Sequence, residues 1–355
     1  MEAEQLDGTQ PRIWVLCGNK IGDNAQILRA VEAMKMDYAV RNIVLLPQFD
    51  TAKPRVAATL DYVDLAKSDR LEPPWPDLVV TIGRRLSSVA LWIKQQSSGA
   101  TRIALFNAPK GGTSSFDLIV APVYYSIKPS PTLCRVNLPL IAVDATRLAE
   151  ARLRFTDALA ALPRPLHVLL LGGATKQMRL DGPAVTDIID RMRNSFANNG
   201  SIYACTSRRT SPAAIEGARA RLGPGDRLYR WVPGDPGNPY LGLLAHGDTF
   251  TVTGDSLSML TEVTRLGRPL VIAELPPRNA LVERIFGKRP PAVVHRLVRW
   301  LSDRQARDFR GFHQFLCTGG YAVMLGERPR PSLPPPVDDT PRVAQELVNL
   351  IRRAS

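Results

Sequence analysis

Short apolar runs alternate with segments of helical spacing along most of this chain, and the alternation restarts near its middle. "RIWVLC" (12–17) reads as a buried strand. The loop "GNKIGDNAQ" follows it, and then Ile27, Leu28, Val31 and Met34 recur at helical intervals. "NIVLLP" (42–47) and "DLVVTIG" (77–83) read as the next strands, "SSVALWIKQQ" (87–96) as a helix, and "RIALFN" (102–107) and "FDLIVAP" (116–122) as further strands. Strands that are apolar throughout and separated by helices predict a parallel sheet covered on both faces.

The pattern begins again at "LHVLLLGG" (166–173), a buried strand ending in paired glycines. An amphipathic helix over 184–200 stops at Asn-Asn-Gly; "SIYACTSRR" (201–209), "RLYRWVP" (227–233), "TFTVTGDS" (249–256) and "PLVIAEL" (269–275) follow as strands. "LPRP" (162–165) reads as the linker between two similar units. The tail "ERPRPSLPPPVDDTP" (327–341) is kept extended by its prolines, and Thr340 as N-cap with Pro341 at N1 starts a last helix. Its stripe of Val343, Leu347, Leu350 and Ile351 must bury, which a return to the first domain allows. The expected fold is α/β, with two facing, doubly wound, Rossmann-like domains over 1–160 and 165–328. A Pro-rich crossing and C-terminal helix over 329–355 then pack on the first.

Composition narrows the function. The chain has 355 residues, 45% of them hydrophobic, enough for two cores. No apolar run approaches the roughly 20 residues that span a bilayer. The acidic, polar start "MEAEQLDGTQ" is unlike a presequence, so a cytoplasmic location is expected. Lys and Arg number 46 against 33 Asp and Glu, a net charge of +13. Such a surface attracts nucleic acid, anionic headgroups or phosphorylated substrates. Aromatic content is 6% and no nucleic-acid-reading motif occurs, so nucleic acid is not expected as a partner. An anionic substrate is, with peripheral contact at the inner face of a membrane. Cys17, Cys134, Cys205 and Cys317 show no Cys-x-x-Cys pair and the histidines no ligand spacing, so no metal is expected. His295 and His313 lie in helical segments beside arginines, where a surface position is expected.

In open α/β sheets, ligands bind beyond the carboxyl ends of the strands. In the second half those ends carry Gly172-Gly173-Ala174-Thr175-Lys176, Thr206-Ser207-Arg208-Arg209, Val232-Pro233-Gly234 and Thr253-Gly254-Asp255-Ser256. Paired glycines admit a close ligand, Lys176 and Arg208 offset diphosphate charge, and a helix starting at Asp255 or Ser256 points N–H groups at a phosphate. Asp255, Ser258 and Glu262 share one stripe of that helix; Leu257, Leu260 and Thr264 share another, the core face. Asp255 and Ser256 equally suit caps, and Glu262 a solvated face. The binding alternative puts Ser256 and Ser258 at phosphates and Glu262 at ribose hydroxyls.

The first-half loop "GNKIGDNAQ" is not G-x-G-x-x-G, so the dinucleotide fingerprint is absent. Asp23 and Gln26 have capping-box spacing. Alternatively, Asp23 accepts a proton from an acceptor hydroxyl. Lys20, Arg84 and Arg85 belong to the same side, either solvated or lining an acceptor cleft.

"GNKIGDNAQ", "TIGRRLSS", "LLLGGATKQ", "TSRRTSP", the long stretch "GDPGNPYLGLLAHGDTFTVTGDSLSMLTEVTRLGRPLVI" and "FRGFHQFL" occur in that order. Together they resemble the mitochondrial-fission (elongated-mitochondria) family, which has many bacterial members. The match is most specific from Asn238 to Glu262. The resemblance implies a fold similar to the two-Rossmann-domain (GT-B) glycosyltransferases, and plant members act as a peripheral factor in mitochondrial fission. Bacterial members are often labelled nucleoside-diphosphate-sugar epimerases, which the missing NAD fingerprint does not favour. Tyr124-Tyr125, "CRVNLPLIAVDATRL" and the Pro-rich tail depart from the family pattern.

With the strand ends, the resemblance implies an inverting, metal-independent GT-B-like glycosyltransferase that needs no cofactor. Gly172, Gly173, Lys176, Arg208, Asp255, Ser256, Ser258 and Glu262 would hold a nucleotide-sugar donor, and Asp23 would be the base. Lys20, Arg84 and Arg85 would lie toward an anionic, envelope or lipid-linked acceptor. The alternative is a non-catalytic scaffold of the same fold, peripheral to a membrane.

Overall fold

The computed structural model describes residues 10–49, 55–107, 113–125, 127–175, 178–196, 199–276, 308–331 and 333–353. They form two compact units. One holds the chain up to Ile141 and again from Val337; the other holds the described chain from Ala142 to Pro336.

In the first unit β1 (Ile13–Cys17), β2 (Ala39–Asn42), β3 (Leu78–Ile82), β4 (Arg102–Phe106), β5 (Leu118–Pro122) and β6 (Leu133–Val136) form a six-stranded sheet, ordered β2-β1-β3-β4-β5-β6. Every pairing is parallel. Helices α1 (Ile21–Glu32) and α2 (Gly83–Gln96) follow β1 and β3. Period-two alternation gives β1 two different buried faces. Ile13, Val15 and Cys17 join Ile27 and Val31 of α1 in one core. On the other face Trp14 meets Trp75 edge-on at 6.1 Å, and Trp75 meets Trp92 of α2 at 5.9 Å.

In the second unit β7 (Leu166–Leu171), β8 (Ser201–Thr206), β9 (Arg227–Tyr229), β10 (Thr249–Thr253), β11 (Leu270–Ala273) and β12 (Val323–Met324) are ordered β12-β11-β10-β7-β8-β9, again all parallel. The chain enters at the middle, builds outward to β9, then crosses back to β10. Its helices are α3 (Ala145–Ala160), α4 (Gly182–Ser195), α5 (Pro212–Arg221), α6 (Tyr240–His246), α7 (Leu257–Arg265) and α8 (Phe309–Thr318). Asp144, Asp181, Ser211 and Asp308 cap α3, α4, α5 and α8, each accepting a backbone N–H three residues on. Both units are therefore doubly wound and Rossmann-like. Each strand order reverses once, between β1 and β3 and between β7 and β10.

The last helix, α9 (Thr340–Arg352), belongs to the first unit. Val343, Leu347, Leu350 and Ile351 are buried among β1, β3 and α1 side chains, as their stripe requires. Its N-cap is Asp339 rather than Thr340. The Asp339 carboxylate goes to the Asn137 N–H at 2.7 Å, while Asp338 accepts from the Thr340 N–H at 3.1 Å and Oγ1 at 2.7 Å.

Three expectations move. The strand near 42–47 lies earlier, at Ala39–Asn42, because from Val44 the backbone bonds to Ser68 Oγ (2.9 Å) and the Tyr62 carbonyl (2.9 Å, from Leu46). Edge strand β6, half-buried at alternate positions, leaves too short an apolar signal to read. The change of unit falls at Ile141, ahead of α3, not at 162–165. The physical reason is packing: α3 lies so close on α6 that a Cβ on Gly242 would come 2.6 Å from Phe155. Among the described residues, no helix is long and apolar enough to cross a membrane.

Leu347 is 0% exposed. Leu347→Ala is expected to cost about 2–5 kcal/mol. Urea unfolding followed by tryptophan fluorescence checks it, since Trp14, Trp75 and Trp92 report on the first unit.

Candidate functional site

β7 and β10 are parallel neighbours, so their carboxyl ends bring Gly172-Gly173 beside Gly254-Asp255-Ser256 at the second unit's point of strand reversal. The Asp255 side chain is wholly buried. Its carboxylate accepts from the Gly173 N–H (2.8 Å), Thr253 Oγ1 (2.7 Å) and Arg209 Nη2 (2.9 Å). Thr253 Oγ1 in turn accepts from the Gly172 N–H at 2.8 Å. Burial pushes the Asp255 carboxyl above the usual carboxylate range, opposed by the Gly173 N–H and the Arg209 charge.

The glycines follow from that carboxylate. A Cβ on Gly172 would lie 2.4 Å from Asp255 Oδ2, and one on Gly173 would lie 2.4 Å from the Arg209 carbonyl oxygen. Ser207 Oγ (2.9 Å) and Thr210 Oγ1 (2.6 Å) donate to the Gly172 carbonyl, so the β8 loop closes over the glycines. From the other side, His313 of α8 donates Nε2–H to the Gly254 carbonyl at 2.8 Å. His313 is buried, not at the surface as its arginine neighbours suggest, and burial pushes its pKa down. A Cβ on Gly254 would meet the ring at 2.5 Å, so glycine is what lets the imidazole reach the backbone.

The remaining donor-side residues divide. Ser256 is buried and stands at the N-cap of α7 without a side-chain capping bond; Ser258, in the first turn, is exposed. Asp255 is not the cap of α7: its carboxylate serves the neighbouring β7 loop. Leu257, Leu260 and Thr264 form the buried face of α7. Glu262 accepts a short hydrogen bond from Tyr240 Oη at the start of α6. Burial pushes the Glu262 carboxyl up, opposed by that bond, and burial beside Glu262 pushes the Tyr240 hydroxyl well above its ordinary value. Arg208 is exposed, and it is Arg209 that reaches Asp255. Consecutive arginines in a turn offered no sequence signal to choose between them. Lys176 and His295 lie outside the described residues.

The first unit gathers its candidates too. Lys20, Asp23, Arg84 and Arg85 line one concavity with Gly18 and Gly83, at the carboxyl ends of β1 and β3. Asn24 clasps the loop: Nδ2 donates to the Gly18 carbonyl (2.7 Å) and Oδ1 accepts the Gly18 N–H (3.1 Å). No capping box forms. α1 begins at Ile21, Asp23 already lies in its first turn 3.8 Å from Lys20 Nζ, and Gln26 donates instead to the Gly22 carbonyl at 3.2 Å. Arg85 donates to the Phe49 carbonyl at 2.9 Å.

Two outcomes test this geometry. Gly173→Ala must displace the Arg209 backbone and is expected to destabilise by about 1–3 kcal/mol. Gly22→Ala, with nothing within 4 Å of the added carbon, is the chemical-denaturation control. For Glu262, the folded pKa lies above the unfolded one, so the stability it confers is fully present below the ordinary carboxylate pKa and is lost as pH rises through the folded value. Glu262→Gln accepts the same Tyr240 bond without ionising. Its melting temperature relative to the native chain should rise from acid to neutral pH; a flat difference contradicts the assigned burial.

Comparisons with known proteins agree with this architecture. The family model for mitochondrial fission ELM1 matches residues 21–351. The mitochondrial fission protein ELM1 of Arabidopsis thaliana is 27% identical over 232 residues, 59% of this chain and 54% of the plant protein, so the match spans about half of that relative's length. The uncharacterized protein RP120 of Rickettsia prowazekii (strain Madrid E) is 21% identical over 311 residues, 77% of this chain and 86% of the other. A UDP-GlcNAc 2-epimerase of Methanocaldococcus jannaschii, solved with UDP-GlcNAc and UDP, matches with a TM-score of 0.52 at 12% identity, over 95% of this chain and 99% of that one. At that identity the likeness concerns the fold, and the fold is GT-B-like, with two Rossmann-like domains. The chain belongs to the mitochondrial fission ELM1 family.

Proposed function

We propose that the protein is a GT-B-type glycosyltransferase that binds a nucleotide-activated sugar where the second unit's strand order reverses. The observation that carries this is the meeting of Gly172-Gly173, Gly254-Asp255-Ser256 and the start of α7 at two adjacent strand ends. N–H groups at a helix N-terminus favour an anion. Arg209 and the Gly173 N–H already take up the Asp255 charge, so that carboxylate does not cancel the attraction. Ser256 and Ser258 fit the phosphates, Glu262 with Tyr240 the ribose hydroxyls, and Arg208 and Lys176 the leaving diphosphate.

Inverting transfer breaks the bond between the anomeric carbon and the diphosphate oxygen. It forms a new one to the acceptor oxygen on the opposite face, and the acceptor's proton passes to the Asp23 carboxylate. Basic side chains and helix N–H groups receive the charge left on the diphosphate, which requires no metal. Lys20, Arg84 and Arg85 beside Asp23 suit an acceptor carrying an anionic or lipid-linked group. The net charge of +13 fits peripheral residence at the inner face of a membrane. A second reading, a non-catalytic scaffold at such a surface, draws support from the fission proteins of the family.

Thermal unfolding with UDP and UDP-GlcNAc, the ligands of the archaeal structure, separates the two. A ligand held only by the folded state stabilises it by about 2.7 kcal/mol at a hundred times its Kd. The expected outcome is a raised Tm that Glu262→Ala abolishes. Asp23→Ala should keep the shift and lose turnover. A shift that survives Glu262→Ala removes the ribose assignment, and no shift with any nucleotide or nucleotide sugar leaves the scaffold.

A further inference from the structure

A second concavity of ≈ 290 Å³, sharing no residue with the one that holds Lys20 and Asp23, lies beside β1 and the edge strand β2, lined by Arg12, Trp14, Arg41, Arg70, Glu72 and the prolines that follow. Arg12 immediately precedes β1, whereas Lys20 and Asp23 follow it. This concavity therefore belongs to neither strand-reversal site. Three guanidinium groups share it with one carboxylate, and among the described residues none of the three is ion-paired.

The local structure holds those charges without neutralising them. Arg12 Nη1 donates to the Trp75 carbonyl at 2.9 Å, a neutral partner, while the nearby Asp77 carboxylate takes the Arg12 backbone N–H at 2.7 Å. The Arg41 guanidinium lies 4.7 Å from the Trp14 ring centroid. Trp14, 2% exposed and propped by Trp75 and Trp92, is a rigid platform beneath it. Arg41 Nε is buried with no hydrogen-bond partner, and Nη1 reaches only the Val40 carbonyl at 3.5 Å. The guanidinium therefore has hydrogen-bonding capacity that the protein leaves unused. Asp69 accepts from Asn42 through the backbone N–H (2.6 Å) and Nδ2 (3.1 Å), which ties Arg70, the next residue, to the strand that carries Arg41.

We propose that this concavity binds a phosphoryl group, carried either by a free phosphate or by a lipid headgroup. Planar guanidinium forks match the several oxygens of a phosphate, and their charge is independent of pH. Arg41 and Arg70 are the main arms, with Arg12 alongside. The site does not depend on the nucleotide-sugar reading.

The full chain is titrated with inorganic phosphate at constant ionic strength and followed by tryptophan fluorescence, to which Trp14 under Arg41 contributes. In parallel it is cosedimented with phosphatidylcholine vesicles containing phosphatidic acid. Binding should saturate in at least one arm and weaken about tenfold or more in Arg41→Gln/Arg70→Gln. Arg147→Gln/Arg152→Gln removes the same charge from exposed positions on α3 and should shift binding less than about twofold. Saturation by phosphate identifies a free ligand; saturation confined to vesicles identifies a headgroup. Arg70→Gln alone, at an exposed side chain with no hydrogen-bond or ion-pair partner among the described residues, should weaken binding in the same arm and keeps the test readable if losing Arg41 disturbs the fold. Undiminished binding in the Arg41/Arg70 variant, equal loss in both double variants, or no saturation by either probe overturns the proposal.

Discussion

The Asp255 carboxylate governs the geometry at the point where the second unit's strand order reverses. Held in a dry environment, it needs donors on every side, and they come from three separate stretches of chain: the β7 loop, the end of β10 and the turn after β8. Those contacts explain why the residues after β7 are glycines: the volume a side chain would fill is occupied by the carboxylate and by the Arg209 backbone. His313 supports the same segment from α8, as a neutral donor to the Gly254 carbonyl. The edge is thus cross-linked by hydrogen bonds from three stretches of chain and from α8.

The first unit uses its basic residues differently. At the carboxyl ends of β1 and β3, Lys20, Arg84 and Arg85 share one concavity with Asp23 where the strand order reverses. Beside β1 and β2, Arg41 lies over Trp14, which meets Trp75 edge-on, and Arg12 is tied to a carbonyl, so their positive charge is positioned by neutral groups. The net charge of +13 is therefore concentrated in part at built features, rather than spread only as a solvated surface.

Much of the fold was legible because buried parallel strands are apolar without interruption. β1, β3, β5 and β7 are buried at every position and stand out in the sequence as such. The C-terminal helix was legible for the same reason, since Val343, Leu347, Leu350 and Ile351 have no use except in a core. Where burial is partial the signal fails. β2 and β6 are edge strands, and their boundaries depend on which neighbour the backbone finds: Ser68 and Tyr62 for the residues after β2.

The candidate site separates what sequence determines from what tertiary structure decides. By itself the sequence established the α/β class, the two Rossmann-like units, and the strand ends that carry the glycines, the arginines and the Asp255–Glu262 segment, because periodicity and turn chemistry are local properties. Only the tertiary structure decided that Asp255 caps a neighbouring loop, that Arg209 and not Arg208 pairs with it, that Glu262 meets Tyr240, and that His313 is buried. Each of these is a contact between residues 22 to 82 positions apart, or a choice between adjacent side chains of one turn. No local pattern encodes such a choice; it follows from which strands become neighbours in the sheet.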